Sequence, residues 1–216
     1  MNFDARHAPR HGKPEERSAA DVDPALAMPD DAIIGAHSDA EVVFVGPVGV
    51  GKTTAVRTLS PSRTIGSEVR ASTMNDFVVG GKETTTVGIE IGVWERADGS
   101  RVALYGTAGQ DRFDSSRTPA LNPEAGLVLM MFGYEHLLTD QVEEWVSILG
   151  EKRALHRTAI GVNFLAPNQE DPVPRIKHLL EVRGHGDIPV QMTDPRNLYD
   201  VAAIAEIALK RVEEYR

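Results

Sequence analysis

The chain has no cysteine, which excludes disulfides, thiolate zinc sites and cysteine redox chemistry. Positive charge is also scarce: 23 Lys and Arg stand against 32 Asp and Glu, a formal net charge of -9 at pH 7. Phosphate backbones are held by excess Lys and Arg, so no nucleic-acid partner is expected. No apolar run approaches the ~20 residues of a membrane span, the N-terminal stretch lacks a signal-peptide apolar segment, and neither terminus carries a lipidation motif. The expectation is a cytoplasmic protein with no direct membrane anchor.

With 216 residues and 41% hydrophobic content, the chain can bury one good core. Residues 1–38 carry Pro9, Pro14, Pro24 and Pro29, many charges and few large apolar side chains. Such a stretch buries too little to offset the entropy of ordering, so it reads as a disordered tail before one domain over 39–216.

The best-defined feature is Gly46-Pro47-Val48-Gly49-Val50-Gly51-Lys52-Thr53, which fits Gly, any four residues, Gly, Lys, Ser or Thr. Glycines let the backbone N–H groups curl into one concavity, and the following helix adds the positive end of its dipole. A polyphosphate suits that hollow. Lys52 reaches its β- and γ-phosphates, Thr53 ligates the accompanying Mg²⁺, and Thr54 continues the phosphate-facing turn. The apolar run Val42 to Val45 leads in, and Val56 and Leu59 lead out at helical spacing.

Further along, strand-like and helix-like segments alternate, which predicts an α/β fold with a mostly parallel sheet of six strands. Strands are predicted over 41–46, 87–96, 101–105, 126–132, 158–163 and 188–192, and helices over 52–60, 138–150, 174–183 and 198–214. The continuous apolar runs at 127–132 and 159–162 suit central strands covered on both faces. Asp98-Gly99 is a hairpin turn, which makes the first member of the pair an antiparallel edge strand. The roughly 25 residues from Pro61 to Thr86 read as one long loop, and loops of that length in compact domains are usually functional.

Two further stretches, Thr84-Thr85-Thr86-Val87-Gly88-Ile89-Glu90 and Gly106-Thr107-Ala108-Gly109-Gln110-Asp111-Arg112-Phe113, complete a pattern. From Glu41 to the C-terminus the chain resembles the Ras-like small GTPases, and more narrowly a bacterial subgroup associated with Roadblock-type partners, including those of conservon operons. The resemblance implies a Ras-like P-loop NTPase fold with helices on both faces of the sheet, GTP and GDP as ligands, Mg²⁺ as cofactor, and a Roadblock-type regulatory protein or other effector as partner. Thr86 would end the first switch and contact Mg²⁺ and the γ-phosphate. Gly109 would sense the γ-phosphate through its N–H, and Gln110 would orient the attacking water with Lys52 stabilising charge.

Two departures stand out. Gly106 lies where most of these proteins have an aspartate that holds Mg²⁺ through water, with Glu83, Asp111 and Asp114 as candidate replacements. The base-reading motif Asn-Lys-x-Asp is replaced by Asn163-Phe164-Leu165-Ala166, which keeps Asn163 and loses the guanine acceptor at Ala166; Asp194 is a second base-reading candidate. A non-hydrolysing nucleotide-binding scaffold and a P-loop NTPase with relaxed base specificity stay open beside the GTPase.

Overall fold

In the computed structural model the described residues are 38–60, 68–70, 84–86, 90–107, 122–151 and 153–215, all inside the compact unit Ile33–Arg216. Apart from Ser38, the N-terminal tail expected over 1–38 lies outside them.

Six strands form one sheet: β1 (Ala40–Val45), β4 (Glu90–Glu95), β5 (Arg101–Gly106), β6 (Gly126–Phe132), β7 (Thr158–Asn163) and β8 (Val190–Met192). Their spatial order is β4-β5-β1-β6-β7-β8, parallel throughout except for the antiparallel pair β4–β5 at one edge. The sequence predicted this sheet; of the strand expected over 87–96 the structure shows Glu90–Glu95, with 87–89 outside the described residues. Pro189 has no N–H to give a ladder, so β8 starts at Val190 instead of 188.

Alternation along the central strands distributes the core to both faces. Val43, Val45, Leu127, Leu129, Met131, Ile160 and Val162 pack against α2 (Leu138–Glu151) and α3 (Val173–Val182) through Trp145, Leu149, Ile176 and Leu180. Their neighbours Val42, Phe44, Val128, Met130 and Ala159 pack against α1 (Lys52–Leu59) and α4 (Leu198–Glu214) through Val56, Leu59, Ile204 and Ala208. Two-sided burial is why β6 reads as one apolar run. Truncating fully buried Trp145 to Ala would cost about 3–5 kcal/mol.

Within 61–86, read above as one loop, two short strands pair instead: β2 (Glu68–Arg70) and β3 (Thr84–Thr86) form a separate antiparallel ribbon, Glu68 opposite Thr86. The β-branched run of three threonines favours extended backbone, and pairing satisfies the N–H and C=O groups that an unstructured run would leave open.

This topology also marks where a ligand goes. From β1 the chain builds outward to β5 and β4 on one side and to β6, β7 and β8 on the other. The helices after β1 and β6 therefore leave toward opposite faces. In open α/β sheets the crevice beyond the carboxyl ends of such a pair of strands is the binding position.

Candidate functional site

β1 runs directly into the glycine loop. Gly46, Gly49 and Gly51 take φ of 136°, 80° and 109°, backbone that other residues enter only with strain. Space demands glycine at two of them as well. A Cβ on Gly46 would lie 2.2 Å from the Met130 carbonyl oxygen, and one on Gly51 would lie 2.7 Å from Pro195 Cγ. The loop is thus pressed between β6 and the segment joining β8 to α4, with Val50 buried and Val48 and Gly49 exposed.

Gly51 is the N-cap of α1, supplying no side chain to the helix N–H groups, and the first turn holds no acidic residue. The positive end of the helix dipole is left to another partner. Lys52 begins the helix and is 7% exposed. Its Nζ donates to the carbonyls of Gly46 and Pro47 at 2.7 Å each, so the ammonium is folded over the loop. Thr53 and Thr54, both half-buried, follow in the same turn. Curled N–H groups, a dipole end and an ammonium in one hollow are suited to an anion with several oxygens.

Two other segments close on the loop. At the end of β7, Asn163 donates through Nδ2 to the Val50 carbonyl at 3.4 Å. Gly133 N–H donates to the Asn163 carbonyl at 2.7 Å, and Gln141 brackets the end of β6 by bonding both backbone groups of Phe132. Phe164 follows with φ 59° and an exposed side chain, its ring 5.7 Å from Phe132, which stacks on Tyr134. Ala166 is exposed and offers no side-chain acceptor.

In the segment joining β8 to α4, the polar groups of Asp194 are already engaged. Its carboxylate accepts from the Arg196 backbone and guanidinium at 2.8–2.9 Å, and these bonds hold its pKa below the usual carboxylate range. Backbone donors here are committed too. Thr193 N–H goes to the Val162 carbonyl, Asp194 N–H to Asp200 Oδ2, Arg196 N–H to Asp194 Oδ1 and Asn197 N–H to the Asp194 carbonyl, while Pro195 has none. The sequence reading assigned base recognition to this segment without showing that competition.

The remaining expected residues divide. Gly109 and Gln110, with Glu83, Asp111 and Asp114, lie outside the described residues, as does the side chain of Thr86, whose backbone belongs to β3. Gly106 ends β5, and Thr107 then ties to β1 by donating N–H and Oγ1 to the Phe44 carbonyl at 3.0 and 3.2 Å. Sequence reasoning missed Glu90 and Arg57. Glu90 sits opposite Gly106 in the β4–β5 register and is fully buried, and its Oε1 accepts from Arg57 Nε at 2.9 Å. A signal existed: Glu90, Gly92 and Trp94 form the buried set of β4, while Ile91 and Val93 are half-buried. The tryptophan, sharing parity with Glu90, marks the inward face.

Among the described residues no group of three or more His, Asp or Glu is placed to hold a metal. No helix of the described residues is long and apolar enough to cross a membrane. No protein-family model matches the chain, and no curated protein matches it, so any functional reading rests on the site's own chemistry and the motif resemblance.

Proposed function

We propose that the chain is a Ras-like nucleotide switch that binds GTP and GDP with Mg²⁺ and hydrolyses GTP slowly. The observation that carries this reading is the glycine loop at the sheet's switch point, leading into an uncapped helix whose first residue, Lys52, is buried over the loop. Asn163 approaches the same loop from β7, where a base would lie beyond the phosphates.

In this reading backbone N–H groups of the glycine loop and the first turn of α1, Pro47 having none, cradle the β- and γ-phosphates, and Lys52 exchanges its bonds to the Gly46 and Pro47 carbonyls for phosphate oxygens. The Thr53 hydroxyl is an oxygen donor of the hard kind that Mg²⁺ takes, alongside Thr86 from the resemblance. Bound Mg²⁺ would neutralise charge on the phosphate oxygens. Gln110 orients the water for in-line attack, Gly109 reads the γ-phosphate, and Lys52 stabilises the charge that develops. The γ-phosphate orders the two switch segments and its loss relaxes them, which is the change a Roadblock-type partner would read in the cytoplasm.

A relaxed base specificity is the second reading. Ala166 offers no side-chain acceptor and the N–H groups near Asp194 are committed to Val162, Asp200 and Asp194 itself, so the preference for guanine should be modest. Identifying the nucleotide that co-purifies with the full chain, then following its γ-phosphate during incubation with Mg²⁺, tests these together. GTP converted to GDP supports the switch. An intact triphosphate points to a non-hydrolysing scaffold, and a chain that binds no nucleotide ends the reading.

A further inference from the structure

Position 106 lacks a side chain, and the space that one would fill is taken by Glu90. A Cβ on Gly106 would lie 3.2 Å from Glu90 Cβ, 3.4 Å from Val56 Cγ2 and 3.9 Å from the Lys52 carbonyl carbon. Glu90 therefore enters the crevice between β4, β5 and α1 from the neighbouring strand, on the face where a side chain at 106 would point. Arg57, its partner on α1, lies four residues after Thr53, so the two share one side of the helix. Glu90 is thus tied to α1 through Arg57, the residue one helical turn after Thr53.

The bonding of Glu90 is half complete. Oε1 takes the Arg57 hydrogen bond, whereas Oε2 is buried with no partner among the described residues. The Glu90 side chain is 0% exposed and that of Arg57 is 49% exposed, so the acid bears most of the desolvation for one bond from a well-hydrated cation. A structural clamp alone would be served as well by a neutral side chain, because a buried charge is costly unless it is fully paired. Such a group calls for a missing water or ion.

We propose that Glu90 supplies, across the strand pair from Gly106, the carboxylate that holds the hydrated Mg²⁺ of a bound nucleotide, with Arg57 fixing its orientation. Mg²⁺ keeps several waters and binds through one or two carboxylates plus substrate phosphates, so a single acid held against the helix that carries Thr53 suffices. The inference rests on the nucleotide reading above, and it makes Glu90 a metal-positioning residue rather than a group that touches the reacting atoms.

The test is titration calorimetry of GDP and GTP on the full chain, with saturating Mg²⁺ and with EDTA. The parent should bind more tightly with Mg²⁺. Glu90→Gln should reduce that Mg²⁺ enhancement by roughly ten- to hundredfold, the usual effect of removing an outer partner of a metal site, and leave the EDTA affinity unchanged. Arg57→Gln should keep most of the enhancement. If Glu90→Gln retains the parent's full enhancement, the carboxylate only clamps Arg57 and the proposal is overturned. Should Glu90→Gln fail to fold, the double variant Glu90→Ala with Gly106→Asp decides: it moves the acid across the register, and it should restore the enhancement, whose loss would count against the proposal. A parent that binds equally with Mg²⁺ and EDTA overturns the metal role alone. A parent that binds in neither condition overturns the nucleotide reading and this inference with it.

Discussion

The helices after β1 and β8 both begin at the carboxyl edge of the sheet, and they settle their first turns in opposite ways. α4 is complete in itself: Asn197 caps it by accepting the Tyr199 N–H at 3.0 Å, and Asp200 places a negative charge in the first turn. α1 has a glycine cap, no acid in its first turn and a lysine as its first residue. Compared with a glycine cap, a side-chain cap is worth only a few tenths of a kcal/mol to a helix used for packing. α1 forgoes that gain and adds positive charge where the dipole is already positive. The difference is what a helix start reserved for an external anion would show, and it can be broken from either side.

The largest effect is expected at Lys52. Lys52→Ala removes the ammonium that would make charge-assisted bonds to two phosphates, at about 1.5–3 kcal/mol each, so nucleotide affinity should fall by more than about a hundredfold. Equal calorimetric affinity of variant and parent would show that α1's open N-terminus does not hold a polyphosphate. Next is Gly51→Ala, which places a Cβ at φ 109° and 2.7 Å from Pro195 Cγ. Strain of this kind costs about 1–3 kcal/mol, so the melting temperature should drop by several degrees and nucleotide affinity with it. A melt unchanged from the parent would mean that the loop is not pressed against Pro195.

The third sharpens the base side. Ala166→Asp offers guanine an acceptor that the committed segment at 193–197 does not, and it should raise the preference for GTP over ATP by about 1–3 kcal/mol, by analogy with base-edge readout. Competition binding that gives the same GTP-to-ATP ratio in variant and parent would place the base elsewhere. The smallest is Asn197→Ala. It should cost about 1 kcal/mol, a few degrees in a thermal melt, and leave nucleotide affinity untouched, because α4 spends its cap on itself. A loss of affinity comparable to that of Lys52→Ala would erase the contrast between the two helices.

The glycine loop, the central strands and α4 were legible because each rests on a local or periodic signal: positive-φ glycines before a helix, apolar runs at 127–132 and 159–162, and 3.6-residue spacing from Leu198 onward. β2 and β3 were not, since three-residue strands leave no period to read. The commitments of Asp194 were hidden for another reason. Which acceptor takes a given N–H depends on the distance between Asp194 and Asp200 after α4 has formed, not on their order in the chain.

Sequence alone determined the absence of disulfides, the order of the main sheet's strands and the helices, and a loop whose spacing of Gly, Lys and Thr suits phosphate, because these depend on residue type and on separations of a few positions. Only the tertiary structure decided which groups meet around that loop. The β4–β5 register puts Glu90 opposite Gly106, and helix packing brings Arg57 onto Glu90 and Pro195 onto Gly51. A carboxylate 16 positions before the glycine it faces becomes its neighbour only when two antiparallel strands pair and a helix covers them, and pairing register is a property of the assembled sheet.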